Sequence, residues 1–350
     1  MRAAVLLAAT LVAGAAGGQE APDDLEALWM RACSLCHGAA GEGLTPDHPS
    51  YSSFARPPAD LTDPLFNSRE PGADWFLVTK WGGEKLGLSS QMPAYDGALT
   101  DDQIHALVAY MKGLADTRGY PPGDLNFPRP IRTIKAFPED EALLITRYED
   151  RDPAHRWRHT AYYAKRFGRA MQGEVKLSTL DPGGGAASEE ELELGFKWAF
   201  HDDLESALLL ATGLEVEVPL DEGDEVWIPY LSLAKGIGES GFFQTTLRSH
   251  LPAAGDDDGD AELSAILQVA SGRWPRSPVP GLEGTVVVPF DGRESVAWSV
   301  IPQALFGLTR GGHVAANVGV ELPLGGHAWD YRVHAFLLWD IADGPFWRGW

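Results

Sequence analysis

The sequence predicts a multidomain chain, in which an all-α domain is followed by an all-β antiparallel domain. The second domain reads as an up-and-down β-barrel of about ten to twelve strands, with a β-sandwich as the alternative. Three observations carry this. Apolar residues recur at helical spacing up to about residue 117, the period changes to two from about residue 140, and four prolines crowd residues 121–130 between them. The expected divisions are a leader at 1–18, a helical domain at 19–117, a Pro-rich linker at 118–139 and a barrel domain at 140–350.

The leader has the form of a secretory signal. Arg2 supplies a positive start, Ala3 to Ala16 form a short apolar core, and small residues through Gly18 offer a cleavage site. No stretch of about 20 consecutive apolar residues follows, so no spanning helix is expected. The formal charge of −22 over 350 residues argues against a nucleic-acid partner. It suits solubility and a basic protein partner.

In the helical domain, Asp23 and Asp24 stand where acids favour the positive end of a helix, and Leu25, Leu28, Trp29 and Ala32 repeat at helical spacing. That helix runs into Cys33-Ser34-Leu35-Cys36-His37, the five-residue pattern of covalent haem attachment. Two thiols one turn apart can each add to a vinyl group of one porphyrin, and His37 then faces the iron. These are the only two cysteines in the chain. A redox dithiol or half a zinc site is the plainer reading of C-x-x-C, but neither explains the adjacent histidine. After a Gly- and Pro-rich loop over 38–58, a helix is expected near Trp75 to Trp81. Another is expected from Thr100, where Gln103 completes a capping box and Ile104, Leu107, Val108, Met111 and Leu114 form the apolar stripe. Met92, in Gln91-Met92-Pro93, stands just before that helix and can offer a soft, neutral thioether as the second axial ligand. His48, His105 or an open sixth position are the alternatives, and Met30 and Met111 read as core.

Trp29, Cys33-x-x-Cys36-His37-Gly38, Met92-Pro93 and Tyr110 together resemble a class I c-type cytochrome over about 100 residues. The resemblance implies one covalent haem c with Cys33 and Cys36 as anchors and His37 and Met92 as iron ligands. It also implies a contact between Trp29 and Tyr110 where the first and last helices cross, and the backbone carbonyl of a proline as partner for the second nitrogen of His37, with Pro49, Pro57 and Pro58 as candidates. In bacteria this haem is attached outside the cytoplasmic membrane, which agrees with the leader.

Beyond the prolines, Leu192, Leu194, Phe196, Trp198 and Phe200 alternate with polar or small residues. Runs led by Leu210, Val314 and Tyr331 do the same, with further runs near 142–148, 158–167, 170–180, 225–235, 240–251, 261–271 and 295–308. Gly195, Lys197, Gly213, Glu215, Arg248, His250 and Arg332 on the second face suit a filled lumen. Trp198, Phe200, Trp227, Trp339, Phe346 and Trp347 suit aromatic girdles, and Trp350 a terminal aromatic. Pro219, Pro229, Pro302 and Pro323 require strand ends or irregularities. A haem domain ahead of a barrel is similar in layout to fused cytochrome–porins, and no residue roles are carried over from them. The expected function is electron transfer rather than substrate chemistry, at the periplasmic side of the outer membrane of a Gram-negative-type bacterium. The alternatives are a haem enzyme or sensor with an open distal site, and a cytochrome joined to a soluble binding sandwich.

Overall fold

The structure is a computed structural model and describes residues 25–341, apart from 55–56, 222, 255–257 and 293–294. The leader, Asp23, Asp24, Phe346, Trp347 and Trp350 therefore lie outside the described residues.

Five helices build the first domain: α1 (Leu25–Ala32), α2 (Ser34–His37), α3 (Pro64–Arg69), α4 (Gly72–Trp81) and α5 (Asp101–Lys112). The start of α5 carries the expected capping box, with Thr100 accepting from the Gln103 backbone and the Gln103 side chain accepting from the Thr100 backbone. Gly113 caps the helix rather than continuing it. Trp29 and Tyr110 meet at 5.9 Å between ring centroids, so α1 and α5 touch where the resemblance places them. Trp29, Leu61, Trp75, Ile104, Leu107, Val108 and Met111 form the core. Met30 is about half exposed and lies outside that core, contrary to expectation; it points away from the face that Leu28 and Trp29 bury. Helix α3 was not expected. Asp63 caps it and Pro64 opens it, yet its six residues are too few to show a period.

The second domain is a closed barrel of twelve antiparallel strands, each paired with its sequence neighbours, and β1 (Glu141–Asp150) closes on β12 (Tyr331–Asp340). Between them run β2 (Arg156–Phe167), β3 (Met171–Asp181), β4 (Glu189–Asp203), β5 (Leu208–Pro219), β6 (Val226–Ile237), β7 (Gly241–Pro252), β8 (Asp260–Val269), β9 (Val279–Pro289), β10 (Ala297–Gly307) and β11 (Val314–Gly325). The sandwich alternative fails because no edge is left open. The strand that sequence patterning did not reveal is β9, where Pro280, Gly281, Gly284 and Pro289 look like turns and Val286-Val287-Val288 breaks the alternation. The prolines fall as required. Pro219 ends β5, Pro229 and Pro302 lie where the β6–β7 and β10–β11 ladders are interrupted, and Pro323 sits beside a register shift.

The barrel is apolar outside and polar inside. Leu144, Leu194, Leu231, Leu247, Leu263 and Leu282 are exposed on its outer surface, whereas Lys197, Glu215, Gln172, Gln244, Glu283 and Asn317 are almost wholly buried in the lumen. This inverts the arrangement of a water-soluble protein and requires lipid around the strands. Phe167, Trp198, Phe200, Phe306 and Trp339 are exposed towards the strand ends nearest the helical domain, and Trp157, Trp227, Trp298 and Tyr331 towards the other end. Two aromatic girdles result. No described helix is long and apolar enough to cross a membrane, so crossing falls to the strands. The protein is an outer-membrane barrel.

The Pro-rich segment does more than join. Residues 123–140 enter the lumen from the helical-domain side, turn near Arg132 and return to begin β1. Leu125, Phe127, Ala136 and Phe137 pack on Ala199, Leu209, Ala211 and Ala234 of the inner wall. At the tip, the backbone N–H groups of Arg132 and Thr133 donate to Glu283 Oε1 at 3.1 and 2.5 Å, and the Arg132 guanidinium donates to Glu262 Oε2 at 2.5 Å. Ile134 N–H donates to Thr246 Oγ1, and Gln244 and Asn317 reach the carbonyls of Pro128 and Arg129. Extended Pro-rich backbone leaves its polar groups unpaired, and the polar lumen satisfies them. The segment is an internal plug.

Candidate haem centre

Helix α1 ends at Cys33, whose N–H donates to the Trp29 carbonyl at 2.9 Å. Cys36 and His37 then donate to the Cys33 carbonyl at 3.1 and 3.0 Å. This turn brings both thiols and the imidazole to one cavity of about 250 Å3. Cys33 is buried, Cys36 half-buried, and neither is in a disulfide. Burial, with a smaller contribution from Cys36, pushes the Cys33 thiol up to about 11. Cys33 is thus held as a neutral thiol.

Met92, on the loop before α5, borders the same cavity. Its carbonyl accepts from Gly83 N–H at 3.1 Å, and its N–H donates to the Ser89 carbonyl at 3.2 Å. A Cβ on Gly83 would meet the Ser89 carbonyl oxygen at 2.3 Å, so the loop needs glycine there to close round Met92. Tyr95 ties this loop to α1 by donating to the Ala32 carbonyl at 2.6 Å. The structure thus gathers Cys33, Cys36, His37 and Met92 on one apolar cavity. His48 and His105 are exposed and do not line it; His105 stacks on Phe76 at 4.3 Å. Met111 borders the cavity but belongs to the α5 core stripe.

The residues fit a haem. The walls are Trp29, Leu61, Phe66, Val78 and Leu107, with Pro57 and Pro58 on the His37 side. His37 Nδ1 is buried without a well-formed hydrogen bond. Burial lowers the pKa of the ring, opposed by the nearby Ala59 backbone, which keeps the imidazole neutral and able to ligate. None of the three candidate prolines is the partner: the backbone that acts on the His37 ring is that of Ala59, directly after Pro58.

Three ionisable cavity residues were not foreseen. Glu70 and Asp74 come from α3–α4, and His313 comes from the turn between β10 and β11. Burial pushes Glu70 up to about 8 against the pull of Arg69, and Asp74 up to about 6 against that of His313. Burial likewise lowers Lys112 to about 8, opposed chiefly by Asp124 and Glu70; its ammonium donates to the Asn67 carbonyl at 2.5 Å and to that of Glu70. No local pattern marks His313, because its place at the cavity depends on barrel closure. The turns at 168–170, 204–207 and 238–240 on this side are short, whereas 270–278 and 308–313 are longer and reach the helical domain, supplying Pro275, Gly311 and His313.

Arg69, only 2% exposed, fixes the two domains together. Its guanidinium lies 3.3 Å from Asp140 Oδ2 and 3.1 Å from Asp340 Oδ1, and it donates to the Ile341 carbonyl at 3.0 Å. A buried arginine with several acceptors is bound more firmly than a surface pair.

Fold and site define a haem-binding cytochrome c domain fused to an outer-membrane β-barrel. Residues 20–111 match the family model described as cytochrome c oxidase, cbb3-type, subunit III. Among solved structures, the barrel is similar to the KdgM porin (11% identity, 57% of this chain and 99% of that one, TM-score 0.43). It is also similar to the COG4313 outer membrane channel from Pseudomonas putida F1 (10% identity, 61% and 99%, TM-score 0.43). A third similar structure is outer membrane phospholipase A from Escherichia coli (10% identity, 62% and 95%, TM-score 0.37). The barrel assignment stands on the strand pairing above and not on these likenesses. No curated protein matches the chain.

Proposed function

We propose that this chain is an electron carrier of the outer membrane, holding one haem c by thioether links to Cys33 and Cys36, with His37 and Met92 as axial ligands. The observation that carries the reading is the convergence of those four side chains on one apolar cavity, which His48 and His105 do not line and whose other histidine, His313, lies 3.4 Å from Asp340. Bound there, the haem would supply a reversible one-electron couple. The chain's own residues exclude water, present a neutral imidazole and hold a thioether opposite it, leaving no position for a substrate. Leu35, between the two cysteines, is 89% exposed, which favours this edge for electron entry and exit. Over residues 20–117, fifteen acidic residues face six basic ones, which favours a basic redox partner. The plug favours a barrel that anchors and orients the haem domain over one that passes solutes.

The test is a redox-titrated spectrum on detergent-extracted and detergent-free fractions from a host that matures c-type cytochromes. A low-spin spectrum confined to the detergent fraction is expected. Rapid carbon monoxide binding at neutral pH would exclude Met92 ligation, and colour in the aqueous fraction would exclude the membrane anchor.

A further inference from the structure

Beside the haem cavity, an open groove of about 850 Å3 separates the helical domain from the two long barrel turns. The helical domain lines it with Trp81, Glu84 and Lys85, and the turns with Trp274, Arg276 and Arg310. The two indoles lie 6.0 Å apart, and the Lys85 ammonium stands 5.8 Å from the Trp274 ring. Arg310 donates to the Glu84 carbonyl at 3.3 Å. Among the described residues, none of these three cations is in an ion pair with a carboxylate. Three such cations thus share one groove in a chain of net charge −22. The groove also has a fixed height. Phe306 of the girdle lies four residues before Arg310, and the exposed Val269, at the end of β8, five before Trp274. It therefore opens where lipid headgroups meet water.

We propose that this groove binds the phosphodiester headgroup of an anionic glycerophospholipid from the leaflet on the haem-domain side. Lys85, Arg276 and Arg310 surround the phosphate, and Trp81 and Trp274 lie against the glycerol region. Guanidinium groups match phosphate oxygens, indoles partition to the interface, and clustered cations favour anionic over zwitterionic lipid. Because both domains line the groove, the bound lipid clamps the haem domain against the membrane. The site depends on insertion of the barrel but not on the identity of the iron ligands.

Delipidated holoprotein in detergent is offered phosphatidylglycerol or phosphatidylcholine at equal concentration, and retained lipid is read by native mass spectrometry. Folding of the barrel is followed separately by its heat-shifted gel migration. One phosphatidylglycerol per chain, held at least about tenfold more tightly than phosphatidylcholine, is expected. Arg276→Gln with Arg310→Gln brings the two lipids to parity, whereas Arg276→Lys with Arg310→Lys keeps most of the preference. Should the double glutamine variant not fold, Lys85→Gln, on an exposed turn, lowers the preference several-fold. Equal retention of both lipids by the native protein overturns the proposal. So does a preference untouched by the glutamine substitutions, which would give the groove to another anion such as an acidic protein face. Displacement of phosphatidylglycerol by millimolar inorganic phosphate overturns the lipid as the source. Absence of the heat shift would count against the barrel itself, and is a distinct failure.

Discussion

Replacing Arg132 with alanine tests whether the plug seals the barrel. The guanidinium at the tip donates to Glu262 at 2.5 Å and lies 4.0 Å from Glu321, both carboxylates being about 2% exposed or less. Removing one partner of a buried ion pair costs ~3–5 kcal/mol when the other charge is stranded. Here neither acid is stranded, since Glu262 keeps Arg248 at 2.7 Å and Glu321 keeps His334 at 2.9 Å. What is lost is one buried hydrogen bond between charged groups, at its upper end about 3 kcal/mol. The backbone bonds to Glu283 and the apolar packing of Phe127 and Phe137 survive, so the plug loosens without being expelled. Three kcal/mol is roughly a hundredfold in the ratio of unseated to seated plug. In planar bilayers the native protein is expected to remain closed. Arg132→Ala is expected to show brief openings about a hundred times more often, with the haem spectrum unchanged. Steady conductance by the native protein, or an indistinguishable variant, would refute the assignment of residues 123–140 as a seal.

Met92→Ala should retain haem, gain carbon monoxide binding and lower the midpoint potential by on the order of 0.1 V, within the ~0.8 V that axial ligands span; an unchanged potential would rule Met92 out. Cys36→Ala should leave haem attached through Cys33 alone, seen as a shifted pyridine haemochrome band and a lower melting temperature, because bound cofactor stabilises the fold. Glu70, held near 8 instead of its ordinary 4.5, favours the folded state when protonated, so stability should fall as pH rises from about 5 to 8. Glu70→Gln should flatten that dependence in thermal melts, and an equal slope in both proteins would assign it elsewhere. Leu247→Arg, at mid-height on the lipid face, should cost ~2–4 kcal/mol of barrel stability in denaturant titrations, whereas a neutral outcome would place β7 away from lipid.

What could be read from sequence was what local chemistry determines. Cys33, Cys36 and His37 lie within one turn, and a capping box at Thr100 marks the helix that follows Met92, so motif and spacing sufficed. Alternation exposed the strands whose faces differ sharply, such as β4 with Leu194, Phe196 and Trp198 outside and Lys197 inside. It failed at β9, where glycine and proline disguise the period. Helix α3 was too short to show one. Residues 123–140 looked like a spacer because what satisfies their backbone, Glu283, Thr246 and Gln244, lies more than 100 residues away. His313 escaped for the same reason.

Arg69 grips both Asp140, just ahead of the first strand, and Asp340 with Ile341 at the end of the last. These partners are neighbours only once β1 has paired with β12. The haem domain precedes the barrel in the chain, yet its seat is completed by β12, the strand that closes on β1. A chain arrested before closure would carry its haem on a loose tether, so the docked geometry itself certifies that assembly has finished.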